Sequence, residues 1–351
     1  MQKFLKKNKT MKKKLISVLK ITVFFSIGIL FFYLAYRGQD FSQLFDAMKD
    51  TNWGWVLAVF FLGLLGHYSR AMRWSLMLEP LGYKPRRINL FTSILTMYLS
   101  NMAIPRSGEF IRCGLINRYE KIPFTQSLGT VVTERVADML VFLILTVIVL
   151  VMQSSTVSEV LSNNPDIQAR LVSIENYIPY IIIVGIVLAF AAFFVIKTVI
   201  KKNLFSLGEK IKSFLTNLKE GVLSVLGLKK RWQFLFHTLF INLVYYLDTY
   251  LTCLAFPFTE NISPSDALAV FVLSTYGVVV PSPGGMGTWH FLTIELLALY
   301  GVAKDPCGRA YALVTHGVQD ISFLTVGFAL LILLPVINKK YFPQNENIPN
   351  A

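Results

Sequence analysis

Two short clusters hold ionisable residues in places where hydrocarbon is expected. In VVTERVAD, residues 131–138, Glu134, Arg135 and Asp138 open a long apolar stretch, MLVFLILTVIVLV. In NMAIPRSGEFIR, residues 101–112, Arg106, Glu109 and Arg112 recur three apart just beyond Pro105. Arginine grips phosphate through a planar fork of donors, and a helix start adds N–H groups and a positive dipole end. If a half-helix begins near residue 107, Arg106 and Arg112 can hold a phosphate. The plainer alternative is two interfacial arginines that snorkel, with Glu109 as a local partner. A carboxylate in hydrocarbon costs at least a few kcal/mol, so Glu134 and Asp138 require a partner or a wet cavity. Counted from Leu128 at about 1.5 Å per residue, they lie roughly 9 Å and 15 Å along the helix. Arg135 can pair with Asp138 on one flank. The cluster then reads either as an ion pair that pins helices or as a polar slot for a lipid headgroup or a proton.

The elements that must carry these residues are membrane helices. The chain has 351 residues, 54% hydrophobic and 15% charged, whereas soluble domains are nearer 25% charged. Apolar runs approach the roughly 20 residues that cross about 30 Å of hydrocarbon, and they are continuous, unlike the alternating segments of a membrane barrel. Full spans are expected at about 17–36, 53–70, 128–152, 177–197, 233–256 and 310–337. Two further apolar regions, 88–125 and 265–304, are interrupted, the second at PSPGGMG by Pro281, Pro283, Gly284, Gly285 and Gly287. Broken backbone at membrane depth is tolerated only when buried in protein or lining a cavity, so both read as re-entrant helical hairpins; two ordinary crossings each is the alternative. The fold class is an all-α polytopic membrane protein of about six full spans plus two re-entrant hairpins.

A net charge of +14 does not indicate nucleic acid, because the basic residues fall between apolar runs as the positive-inside rule expects. The inner segments are the arm at 1–16, 70–87 with Arg70 and Arg73, 104–127, 197–231 and the tail at 338–351. Both termini are then cytoplasmic. The first apolar run is too long for a signal peptide, and the basic arm before it is suited to anionic lipid. Residues 203–228 repeat apolar positions at helical spacing, an amphipathic linker that either lies on the inner leaflet or packs on the loops. The three scattered cysteines form no metal or disulfide pattern.

One half of the chain resembles the other. Opposite VVTERVAD stands LVTHGVQD, residues 313–320, sharing Val132/Val314, Thr133/Thr315, Val136/Val318 and Asp138/Asp320. His316 takes the place of Glu134, so each copy carries a polar pair at i, i+4. Each is preceded by a broken hairpin about 30 residues upstream. Repeat one covers about 53–152 and repeat two about 233–337. Three crossings intervene, which makes the repeat inverted in the membrane, an organisation common in secondary transporters.

The blocks HYSRAMRW (67–74), NMAIPRSGEFIR (101–112), GTVVTERVAD (129–138) and PSPGGMG (281–287) resemble the flippase-like family that includes the transmembrane region of bacterial lysylphosphatidylglycerol synthases. That resemblance implies a bacterial inner-membrane protein related to domains that translocate amino-acylated phospholipid. Family motif positions are Arg106, Glu109, Arg112, Glu134, Arg135, Asp138, Pro281, Pro283, Gly284 and Gly285. The chain ends about 14 residues after its last span, with no room for an aminoacyl-transferase fold, so synthase activity is not expected.

The expected function is movement of a phosphate-bearing phospholipid or polyprenyl-linked lipid between leaflets. Arg106 and Arg112 would hold the headgroup, with Glu134, Asp138, His316 and Asp320 lining the path. The alternatives are a non-transporting membrane subunit that anchors or regulates an envelope-lipid or glycan enzyme, and an intramembrane lipid-phosphate enzyme. No cofactor is expected, and a divalent cation between Glu134, Asp138, His316 and Asp320 would need the two repeats to meet. Homo-oligomerisation is left open.

Overall fold

Asn52 opens the first long helix by accepting the Gly54 N–H at 3.1 Å, and Pro80 and a left-handed Gly82 close it. In this computed structural model the described residues are 40–156, 227–280 and 282–341, with Ser26, Ile29, Leu30, Tyr33, Leu34, Tyr36, Gly38, Ser158 and Thr216. They are helical, with no strand among them. A short α1 (Phe41–Ala47) leads into α2 (Trp53–Leu78). Then come α3 (Arg87–Ala103), α4 (Gly108–Glu120) and α5 (Phe124–Met152). The second half comprises α6 (Arg231–Cys253), α7 (Pro264–Thr275), α8 (Thr288–Leu299), α9 (Arg309–Ser322) and α10 (Phe328–Ile337). A π-helical turn at Phe323–Gly327 joins the last two. Among the described residues, three helical stretches are long and apolar enough to cross a membrane: Trp53–Leu81, Phe124–Met152 and Lys304–Ile337. The expected spans at 17–36 and 177–197, the basic arm and the amphipathic linker lie outside the described residues but for isolated positions.

α2 is the spine shared by two cores. On one side Val56 and Val59 pack with Cys253, Val270, Tyr311 and Val318. On the other, Trp74 and Met77 pack with Ile94, Met97, Cys113 and Val131. α5 turns Val136, Leu140, Leu143, Ile144 and Val147 outward, an apolar face suited to lipid rather than water. One sequence expectation is corrected here. Arg70 and Arg73 are not in a loop after a span ending at 70; they lie inside α2 and are buried. They stay helical because acids on α5 supply the partners that water would otherwise provide.

Both interrupted regions fold as helical hairpins. At about 1.5 Å per residue, α3 and α4 extend about 26 and 20 Å, and α7 and α8 about 18 Å each; all fall short of about 30 Å of hydrocarbon. The arms of the first hairpin meet so closely that a Cβ on Gly108 would collide with the Met97 carbonyl oxygen. Gly284, Gly285 and Gly287 all take positive φ in the second break, the backbone freedom that the run of glycines supplies.

The halves are tied at their ends in matching ways. Asn338, the C-cap of α10, exchanges amide hydrogen bonds of 2.8 and 2.9 Å with Asn89, the third residue of α3. Gln153, the C-cap of α5, donates a 2.9 Å hydrogen bond to Asp266, the third residue of α7. Each long helix thus ends on the first arm of the other half's hairpin.

Candidate functional site

The α2 face that carries His67, Arg70, Arg73 and Trp74 is built by helical spacing of three to seven residues. It meets the α5 face that carries Glu134 and Asp138. Arg70 Nη1 donates to Glu134 Oε1 at 2.7 Å and to Asp138 Oδ2 at 3.0 Å. Arg73 reaches the same pair, Nη2 to Glu134 Oε1 at 3.2 Å and Nη1 to Asp138 Oδ1 at 2.6 Å. From α4, Arg112 Nη2 stands 3.0 Å from Glu134 Oε2 and its guanidinium lies 4.8 Å from the Trp74 ring centroid. Arg70, Arg73, Arg112 and Glu134 are all buried. One carboxylate therefore gathers three arginines from two helices, the compensation that makes buried charge tolerable. Arg135, 42% exposed, is a looser partner, 3.8 Å from Asp138 and 3.9 Å from Glu109.

Arg112 is accordingly not where a phosphate clamp requires it: it is fully enclosed against Glu134. The α4 start is also less open than its sequence suggests, since Asn101 Oδ1 accepts the Gly108 N–H at 2.8 Å. Arg106 is placed differently. It sits exposed at the first break with φ of 61°, a conformation costly for a side chain with Cβ, and its Nη2 donates to the Val279 carbonyl at 2.8 Å. The two hairpin tips meet there; a Cβ on Gly284 would lie 3.6 Å from Met102.

Between the tips and the long helices lies a cavity of about 580 Å³. Of the predicted site residues, Arg106, Glu109, Arg135, Asp138, Gly284, Gly285, His316 and Asp320 line it. Glu134, Arg112, Pro283 and Gly287 stand behind that wall, and Pro281 lies outside the described residues. Asp138 and Asp320, from opposite halves, thus face one space. On the α9 side, His316 Nδ1 is 3.1 Å from Asp320 Oδ2 and its Nε2 is 3.2 Å from the Gly284 carbonyl. Among the described residues no group of three or more His, Cys, Asp or Glu stands together to hold a metal ion.

Sequence reasoning missed Arg70 and Arg73 as site residues, although their spacing of three complements the spacing of four between Glu134 and Asp138. It also missed the aromatic wall. Tyr98 stacks on Phe323 with centroids 4.9 Å apart. Tyr245 joins its hydroxyl to that of Tyr98 at 3.0 Å and accepts from Arg70 Nη2 at 3.3 Å. No motif marks them, because aromatic residues are common along this chain, with 28 Phe and 15 Tyr.

A family model described as "Lysylphosphatidylglycerol synthase TM region" matches residues 17–335. A UPF0104 membrane protein of Methanocaldococcus jannaschii is 31% identical over 140 residues, 38% of this chain and 41% of that relative. The aligned stretch therefore spans less than half of either protein.

Proposed function

The chain belongs to the lysylphosphatidylglycerol synthase TM region family, and on that premise we propose that it moves a phosphate-bearing lipid, or a lipid-linked intermediate, between leaflets. The observation that carries this reading is the cavity where two broken hairpins and two long helices, one set from each half, bring Arg106, Arg135, Asp138, His316 and Asp320 around one space. Short hairpins enclosing a polar cavity are how transporters place irregular backbone at membrane depth. The charge balance leans toward an anionic group: Arg70, Arg73, Arg106, Arg112 and Arg135 stand against Glu109, Glu134, Asp138 and Asp320 in and behind the cavity wall, five cations against four acids. Arg106 and Arg135, the two exposed arginines of the set, take the place of an Arg106–Arg112 clamp in holding the phosphate. The buried arginines set its electrostatic background.

The paired ends of the long helices support an inverted arrangement, in which opening toward one leaflet breaks one tie and keeps the other. The family supports placement in the cytoplasmic membrane, and the distribution of basic residues supports an orientation with both termini inside.

The test is reconstitution of the full chain into liposomes with fluorescent phospholipids and a polyprenyl phosphate, following their arrival in the opposite leaflet. Arg106→Gly keeps the left-handed backbone and removes the guanidinium, so it is expected to fold and to move lipid at least tenfold more slowly, the loss of about 1.4 kcal/mol of binding or barrier. Movement of no lipid by the wild-type protein, or an undiminished rate in Arg106→Gly, counts against the reading.

A further inference from the structure

The second half of the cavity contains a hydrogen-bonding pattern that a neutral histidine beside a carboxylate cannot satisfy. His316 places Nε2 3.2 Å from the Gly284 carbonyl oxygen and Nδ1 3.1 Å from Asp320 Oδ2. A carbonyl oxygen only accepts, and an ionised carboxylate only accepts, while a neutral imidazole has a single N–H. Both contacts are hydrogen bonds only when one further proton is present. It rides either on His316 as imidazolium or on Asp320 as the neutral acid donating to Nδ1. The two forms hold the same number of protons and differ only in where one sits.

We propose that His316 and Asp320 form a proton-binding site whose occupancy sets the hold of α9 on the second hairpin tip. With the proton bound, α9 is tied to Gly284 through His316 and His316 is braced by Asp320. When the proton leaves to the cavity, the remaining N–H must choose. Kept on Nε2, it preserves the Gly284 bond and sets the Nδ1 lone pair against the Asp320 carboxylate. Moved to Nδ1, it preserves the Asp320 bond and opposes two acceptors at Gly284. Either choice loosens one of the two links.

The surrounding groups favour placing the exchangeable proton here. From α8, His290 faces His316 with ring centroids 4.7 Å apart, but its Nδ1 accepts the Gly287 N–H at 3.3 Å, which makes it the neutral partner. Trp289 packs 5.5 Å away and carries no titratable group. The charged groups across the cavity are Arg70, Arg106, Arg135, Glu109 and Asp138, and the other titratable groups there are His67, Tyr98 and Tyr245. Those acids already have arginine partners. His316 and Asp320 are 14% and 17% exposed, enclosed yet in contact with the cavity through which a proton travels. As a proton site the pair stands on its own geometry; as a coupling site it rests on the transport reading above.

The experiment is a nitrogen-15 titration of the histidine rings in the full-length protein in lipid nanodiscs. The chain has four histidines, and His316→Gln assigns the signal. A ring whose two nitrogens are both protonated, or whose Nδ1 signal shows a shared proton, on the acid side of pH 5–8 is expected. Asp320→Asn should shift that transition. A His316 ring that keeps one protonation state over this range, or a transition indifferent to Asp320→Asn, overturns the proposal. Because Asp320→Asn can disturb folding, the wild-type titration decides by itself whether the extra proton exists.

Liposomes carrying a pH difference then test coupling: lipid movement is expected to respond to the difference in wild type and not in His316→Gln. Lipid that moves with no response to the difference overturns coupling and leaves transport standing. A titrating pair in a protein that moves no lipid supports the proton site and overturns the transport reading.

Discussion

Asp138 and Asp320 occupy matching places in the two halves, yet their surroundings differ in kind. Asp138 is held by Arg70 and Arg73, whose charge does not vary with pH, beside a Glu134 that collects three arginines. Asp320 has a histidine instead, 3.1 Å away. The proposed proton site would make the second half the one that changes, while the first keeps its arginine-locked acids. On that proposal, the arginine-locked wall is the fixed electrostatic reference against which a change at His316 and Asp320 is felt.

The sharpest way to break this contrast is to remove the first half's anchor. Glu134→Gln leaves Arg70, Arg73 and Arg112 buried against a neutral amide, and loss of one partner from such a cluster costs about 3–5 kcal/mol. Thermal unfolding of the purified protein in detergent should show a large drop or a failure to accumulate. Asp320→Asn, by contrast, exchanges one partly exposed pair for a neutral hydrogen-bonding group. It should cost less, about 1.5–3 kcal/mol, as loss of one hydrogen bond to a charged group does, and thermal unfolding reads the difference directly. If the two variants lose similar stability, the division into fixed and responsive halves is wrong. The end ties give the smallest effect. Asn338→Ala and Gln153→Ala each remove neutral or singly charged hydrogen bonds worth about 0.5–1.5 kcal/mol, so hydrogen exchange at the neighbouring helix ends should rise locally with little change in overall melting.

How much of this was legible in the sequence depends on whether a feature is local. Both breaks are, because Pro105 and the prolines and glycines of 281–287 forbid continuous helix wherever they stand. The matching Thr and Asp positions of VVTERVAD and LVTHGVQD are equally local, and they place both aspartates on the cavity. Arg70 and Arg73 were misplaced because the positive-inside rule counts charge near a span's end without seeing an acid on another helix 61 or more residues away. The same blindness put Arg112 in a phosphate clamp: nothing around it in sequence reveals that Glu134 encloses it. Arg106 could be placed at the tip by its neighbours, but its bond to Val279 joins two segments 173 residues apart and belongs to the fold alone.

The arginine pair of α2 has a consequence for how the protein is made. A ribosome delivers Arg70 and Arg73 to the membrane well before it has synthesised Glu134 and Asp138. Until then α2 must enter lipid with two bare guanidinium groups, each opposing insertion by up to about 2.5–3.5 kcal/mol at a helix centre and less toward its end. A nascent chain stopped before Phe124 is therefore expected to leave α2 poorly inserted in a glycosylation-mapping assay, and one extended through Met152 to insert it fully. The acids of α5 act backwards along the chain, completing a helix that was translated first.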